Sequence, residues 1–250
     1  MSVTTFTIPS LICAVLLIPT ESFSQQAAKP RWEAGLHAGG FIYQGDLTPH
    51  FPGSVETIRP GAGIFVTRII NPSFSARLLY NKASLAADES MYAAPAYRKQ
   101  RNFSFQANVN EISLLIHWNI FRSNYDERKF EPYLFAGGGA SIMNISRDYS
   151  RFNPAYFGEV SSVTAGLAVD AATPLPRVIP VVPVGSGLRY NLSRRIAING
   201  EISYRLMRTD YLDGFSMSAD PNQKDHYASI TIGVAYKFGN KDRYACPAVN

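Results

Sequence analysis

Residues 227–238 alternate with a period of two, with Ile230, Ile232, Val234, Tyr236 and Phe238 on one phase and Ser229, Thr231, Gly233, Ala235 and Lys237 on the other. Such a period gives a strand one apolar and one polar face. The same pattern opens the fold at 32–43, where Trp32, Ala34, Leu36, Ala38, Gly40 and Ile42 oppose Glu33, Gly35, His37, Gly39, Phe41 and Tyr43. If the sheet closes, these two strands pair and leave no free edge. Between them the pattern predicts strands at 58–70, 74–83, 103–121, 132–145, 179–190 and 196–207. The clearest is 103–121, with Ile112, Leu114, Ile116, Trp118 and Ile120 opposite Glu111, Ser113, His117 and Asn119. In 132–145 both phases are apolar or glycine, so its facing stays open.

The connections carry information of their own. Residues 44–57 hold Pro49, Pro52 and Gly53 and form a loop, whereas Asn71-Pro72-Ser73 is a tight turn. Segment 84–102 is long and polar, 122–131 is shorter, and 191–194 is again a tight turn. Residues 147–177, with Asn153-Pro154, Pro174 and Pro176, make the longest connection, and its middle, 160–169, is expected to pair locally or extend a neighbouring strand. Residues 208–225 are long again. The order long, short, long, short, long, short, long is that of an eight-stranded antiparallel up-and-down transmembrane β-barrel, all-β, with short periplasmic turns, longer outside loops and both termini in the periplasm. Strands of about ten residues suit a tilted membrane crossing.

Three features choose the facing. One set of strand ends carries Trp32, Trp118, Phe121, Tyr133, Tyr190, Tyr236 and Phe238, the other Tyr43, Tyr80, Phe103, Tyr204 and Tyr227, which reads as two interfacial girdles. Arg77, Glu111, Arg189, Glu201 and Arg205 fall on the phase opposite the large aliphatic residues. A basic side chain facing lipid at mid-membrane costs about 2–4 kcal/mol, so these groups belong in the lumen. A barrel of this size is just filled by side chains. The expected lumen network is therefore Arg77, Glu111, His117, Arg189, Glu201 and Arg205, with His37 beside it, forming a charged plug without an open pore.

Composition narrows the function classes. The 250 residues are 46% hydrophobic, 12% aromatic and 17% charged, which suits one folded domain and excludes disorder. Past the N-terminus no apolar run is long enough for a membrane-spanning helix. The apolar stretch 8–18, followed by Ser22, Phe23 and Ser24, reads as a signal peptide over 1–24, leaving a barrel at 25–240 and a periplasmic tail at 241–250. The address is then the outer membrane of a Gram-negative cell. The net charge of +5 is dispersed, with no basic run of the nucleic-acid kind. After cleavage Cys246 is the one cysteine left, on the tail, where it is either an inert thiol or a point of capture by another protein.

Candidate chemistry is sparse. Asp46, Asp210 and Asp213 sit near loop starts at one end and could gather around a divalent cation, but their spacing matches no calcium loop and turn formation explains them without metal. His37 and His117 lack a third ligand for zinc. Ser113 shares a strand face with Glu111 and His117, yet same-face neighbours lie about 7 Å apart, too far for a catalytic relay on a regular strand. No catalytic, cofactor or metal site is expected.

Several motifs together resemble a known family: Trp32-Glu33-Ala34-Gly35 leading to Tyr43-Gln44-Gly45-Asp46-Leu47, Glu131-Pro132-Tyr133-Leu134-Phe135-Ala136-Gly137-Gly138-Gly139, Thr209-Asp210-Tyr211-Leu212-Asp213, and the tail Lys241-Asp242-Arg243-Tyr244-Ala245-Cys246-Pro247. The chain is similar to the small Bacteroidetes outer-membrane barrels grouped as DUF6089, which include PorG of the type IX secretion system. The resemblance implies a non-enzymatic membrane anchor or scaffold that contacts a periplasmic secretion-ring protein. The Ala- and Pro-rich stretch 147–177 departs from the family pattern. A small transport or ligand-binding barrel, with that stretch folded inward, is the alternative.

Overall fold

The alternating segments pair in chain order, each antiparallel to the next, and the last returns to the first to close an eight-stranded barrel in this computed structural model, which describes residues 32–49, 53–125, 128–220 and 224–239. The strands are β1 (Trp32–Gln44), β2 (Arg59–Ile69), β3 (Phe74–Asp88), β4 (Ser104–Asn119), β5 (Phe130–Asp148), β6 (Val178–Asn191), β7 (Ile196–Met207) and β8 (His226–Phe238). Closure runs from Trp32 opposite Phe238 to Gln44 opposite His226. The signal peptide expected at 1–24 and the tail at 241–250, with Cys246, lie outside the described residues.

Short-range chemistry fixes the tight turns. Asn71 Oδ1 accepts the N–H of Ser73 at 2.9 Å and of Phe74 at 2.8 Å, an Asx turn that Pro72 favours. Ser193 Oγ serves Arg195 and Ile196 in the same way. Inside the wall, Gly63 is where a side chain has no room: a Cβ there would lie 2.3 Å from both Asn81 Oδ1 and His37 Nε2, which bond to each other at 2.6 Å. Glycine at this position lets two lumen side chains meet.

The exterior is apolar and the interior ionic. Ile232 is 68% exposed and Leu36 and Ile64 62%, whereas Glu33, Arg77 and Glu111 are fully buried. Water would penalise a continuous apolar wall of this kind, and hydrocarbon would not. We read the belt as the lipid-facing surface of a membrane-spanning barrel. In β5 the open facing is resolved: Tyr133 and Phe135 point inward, and Leu134 and Ile142 outward.

Three expectations are corrected. Tyr43, Phe103, Tyr133 and Tyr227 do not join a girdle: all are buried, because they sit on the inward phase with Phe41 and Glu111. Trp32, Trp118, Phe121, Tyr236 and Phe238 are exposed at the short-turn end, joined by Phe74 and Phe130. At the loop end Tyr80 is exposed and Tyr204 half-buried. Segment 84–88 is not loop but the outer part of β3, paired with β4 as far as Asp88 opposite Ser104, and its Leu85 and Ala87 are buried under the loops. Finally, 160–169 is not extended.

That segment lies largely in α3 (Ser162–Ala172), which follows the short α2 (Pro154–Phe157). Ser161 caps it, its Oγ accepting the Thr164 N–H at 3.2 Å, and the alanine-rich sequence favours helix over strand. Gly166 and Asp170, four residues apart, share the face that meets segment 216–218. A Cβ on Gly166 would lie 2.1 Å from the Met217 carbonyl oxygen, so the helix docks backbone to backbone. A further short helix, α1 (Tyr97–Arg101), crosses the loop end between β3 and β4.

Candidate functional site

From the short-turn end upward the lumen is crossed by ion pairs at successive heights. Arg189 of β6 reaches Glu33 of β1 with two bonds, Nη1 to Oε1 at 2.9 Å and Nη2 to Oε2 at 2.7 Å. Higher up, Arg77 of β3 meets Glu201 of β7 at 2.6 Å, and Tyr133 donates to the same carboxylate at 2.5 Å. Arg77 also donates to Thr67 at 3.1 Å and lies 4.1 Å over the Phe65 ring. Above that, Arg205 of β7 donates to Glu111 of β4 at 3.0 Å, and Glu111 also accepts from Tyr227 at 2.7 Å and Ser113 at 2.8 Å. The paired strands stand across the barrel from one another, so each pair ties opposite walls together. Bidentate or multiply bonded carboxylates of this kind offset the desolvation of buried charge.

The six residues assigned to the lumen by their phase, Arg77, Glu111, His117, Arg189, Glu201 and Arg205, are all buried inside the barrel. His117 stands apart from the ion pairs: its ring stacks on Phe135 at 5.1 Å and tilts over Tyr133 at 5.3 Å, and its Nε2 has no hydrogen-bond partner. Beside it, with Ser75, Asn119, Glu131 and Arg189, is a space of about 10 Å³, roughly what one water needs. Ser113 does reach Glu111, contrary to the spacing argument, because both side chains lean along the strand. With His117 held in an aromatic stack, no relay forms. Glu33 was not among the residues assigned to the network from the sequence, and Tyr133 and Tyr227 were assigned to the girdles instead. Glu33 shares its phase with His37 and was legible as a lumen residue, but its partner on β6 was not.

Above the ion pairs the lumen turns apolar and aromatic. Phe103 stacks on Phe215 with centroids 4.3 Å apart, and Tyr43 packs edge-on to Phe105 at 4.7 Å. Leu47, Leu85 and Leu212 complete this roof. Over it the long loops are bound to one another by buried carboxylates. Asp170 accepts the N–H groups of Ser216 at 3.2 Å, Met217 at 3.1 Å and Ser218 at 2.9 Å, and the Ser218 hydroxyl at 2.6 Å. Glu89 holds Arg98 and Arg101, and their guanidinium groups also donate to the Asp46, Thr48 and Ser218 carbonyls. The stretch 147–177 therefore covers the mouth and does not fold inward to line it.

Replacing Asp170 by Asn removes the charge behind these bonds. With charge-assisted bonds worth about 1.5–3 kcal/mol each, Asp170→Asn should free the 216–218 segment from α3 while leaving the barrel closed. Limited proteolysis within 208–220 should accelerate several-fold, since cleavage follows the open population. An unchanged rate would mean that the clamp lies elsewhere.

The aspartates expected near the loop starts do come together, against protein donors. Asp46 accepts the Asp220 N–H at 2.9 Å, and Ser216 donates to Asp210. Asp213 and Asp225 both approach the Tyr43 hydroxyl, at 2.6 and 2.8 Å. One hydroxyl carries one hydrogen, so the second contact requires a proton on a carboxyl. Burial, reinforced by the charge of Asp225, pushes Asp213 well above the usual carboxylate range. Burial raises Asp225 to about 8 and Asp46 to about 7, and raises Asp210 as well. No group of three or more His, Cys, Asp or Glu among the described residues is arranged to hold a metal ion.

These carboxyls bind protons more tightly folded than unfolded, so between pH about 4 and about 8 their contribution to stability falls as pH rises. Calorimetric melting should give a higher Tm at pH 5 than at pH 9, and Asp225→Asn should narrow that gap. A gap of the same size in the variant would contradict the shared proton.

Solved structures that resemble this chain include OprG of Pseudomonas aeruginosa, with 10% identity over 85% of this chain and 98% of that one and a TM-score of 0.47. Ail, the attachment invasion locus protein of Yersinia pestis, solved with the heparin analogue sucrose octasulfate, gives 11%, 84%, 99% and 0.45. Neisserial surface protein A gives 14%, 83%, 97% and 0.44. No curated protein sequence matches significantly. Residues 10–247 match the profile of a family described as Domain of unknown function (DUF6089).

Proposed function

The chain belongs to the DUF6089 family, and from that premise we propose that it is a non-enzymatic barrel of the Gram-negative outer membrane, a closed anchor that works through its two ends. The observation that carries this reading is the set of ion pairs joining opposite walls at several heights beneath an aromatic roof. A lumen filled in this way leaves the ends of the barrel to meet other molecules. The short-turn end and the termini face the periplasm, and the loop cap faces outward.

The resemblance to PorG gives the finer reading, an accessory of type IX secretion whose tail at 241–250 contacts a periplasmic ring protein, with Cys246 as the point of capture. Two measurements test the proposal. Planar-bilayer recording of the purified protein should show a flat baseline, and large steady conductance would replace the anchor by a channel. Crosslinking from the tail in cells should recover a periplasmic secretion component. If Cys246→Ser migrates like wild type on non-reducing gels, the disulfide part is wrong.

A further inference from the structure

At the rim of the loop end a cavity of about 780 Å³ opens between the loop cap and the outward faces of β7, β8 and β1. Its volume is that of a small-molecule site. Its lower wall is continuous with the lipid-facing belt: Leu206 is 43% exposed, one outward position along β7 from Tyr204 and two from Ile202. The Tyr204 hydroxyl donates to Gln44 at 2.6 Å and its ring lies 5.4 Å from that of His226, so the aromatic face is held in place. The upper wall is polar, with Asp46, Arg98, Arg101 and Lys224.

One feature of that upper wall calls for an anion. Arg98 and Arg101 share the Glu89 carboxylate, and Asp46 and Asp220 face the same cavity, so the cations are balanced in number and it is hydrogen bonding that is incomplete. Arg98 is 7% exposed, its terminal nitrogens are bonded to Glu89 and to the Asp46 and Thr48 carbonyls, and its Nε–H is buried with no acceptor. A buried charged donor left unmet is costly, and an anionic oxygen is the acceptor that satisfies it best. Lys224, exposed on the same cavity, supplies a second cation. Asp46 and Gln44 bring acceptors, which an inorganic anion does not need and sugar hydroxyls do.

We propose that this cavity binds the phosphorylated sugar head of a glycolipid in the surrounding outer leaflet, with the phosphate on Arg98 and Lys224, the sugar against Tyr204 and Asp46, and an acyl chain along Leu206. The proposal rests on the membrane reading above, because only a barrel set in a bilayer presents this rim to lipid heads. Binding at the rim leaves the lumen sealed.

The test uses the full-length protein in detergent, titrated by native mass spectrometry with lipid A carrying both phosphates, with the same lipid after removal of its phosphates, and with inorganic phosphate as competitor. The phosphorylated lipid should bind about tenfold more tightly than the dephosphorylated one, the weight of one charge-assisted contact. Arg98→Gln and Lys224→Glu should each lose that preference. Lys224 is exposed, so its variant keeps the test open if Arg98→Gln does not fold, which heat-dependent gel migration reports. Equal binding of both lipids, or an unchanged preference in Lys224→Glu, would overturn the site. Displacement by inorganic phosphate at concentrations matching the lipid would make it a free-anion site and overturn the glycolipid. A barrel that inserts into vesicles without lipid preference would lose this inference alone, whereas failure to insert would remove the membrane reading beneath it.

Discussion

Arg77→Ala should destabilise the barrel by about 3–5 kcal/mol, the usual cost of leaving one member of a buried ion pair without its partner. Arg77 is fully buried, and its removal leaves the Glu201 carboxylate inside the lumen with the Tyr133 hydroxyl as its remaining donor. Urea unfolding of vesicle-inserted protein, followed by the gel shift between folded and unfolded forms, measures it. The double variant Arg77→Met with Glu201→Leu should recover most of the loss, because apolar side chains of similar volume pack where the ions stood. The comparison separates two roles. If the double variant is stable yet passes ions in planar bilayers, the pair serves to seal the barrel. If Arg77→Ala alone unfolds at the wild-type urea concentration, the ion pairs are not what joins the walls.

The second large effect is on the outside. Ile232→Arg places a guanidinium at an outward position near the middle of β8, where Ile232 is 68% exposed. In hydrocarbon this costs about 2–4 kcal/mol; in water an exposed isoleucine replaced by arginine costs almost nothing. The yield of folded protein in lipid vesicles should therefore drop sharply for Ile232→Arg and hold for Ile232→Leu. Equal yields for the two variants would mean that the apolar belt does not face lipid, and the cellular address would fall with it.

The strands were legible because each carries its own evidence. A two-residue period needs no knowledge of the rest of the chain, so β7 was read to its end residues and the others to within a few positions, except where β3 and β5 run on past the rim. Those extensions lie above the membrane, where Leu85 and Phe105 bury against loops and the lipid-facing phase loses its meaning. The girdles failed for a related reason. Aromatic residues were grouped by height along the strand, but phase decides which side they face, and it put Tyr43 and Tyr227 in the roof. Stretch 160–169 misled because its valines suit a strand although its alanines favour helix, and its helix is settled by the Ser161 cap and by Asp170 docking on residues 46 to 48 positions further along.

The amino-acid order alone determined that the chain closes into a barrel, how many strands build it, and which face of each is oily, since all three follow from local alternation and loop lengths. Only the folded molecule decided that Glu33 finds Arg189, that Glu111 finds Arg205, and that Arg98 lines a rim cavity with an unmet donor. Those meetings join residues on different strands and loops, often more than ninety positions apart. Their pairing depends on strand stagger and loop packing, for which a linear pattern has no signature.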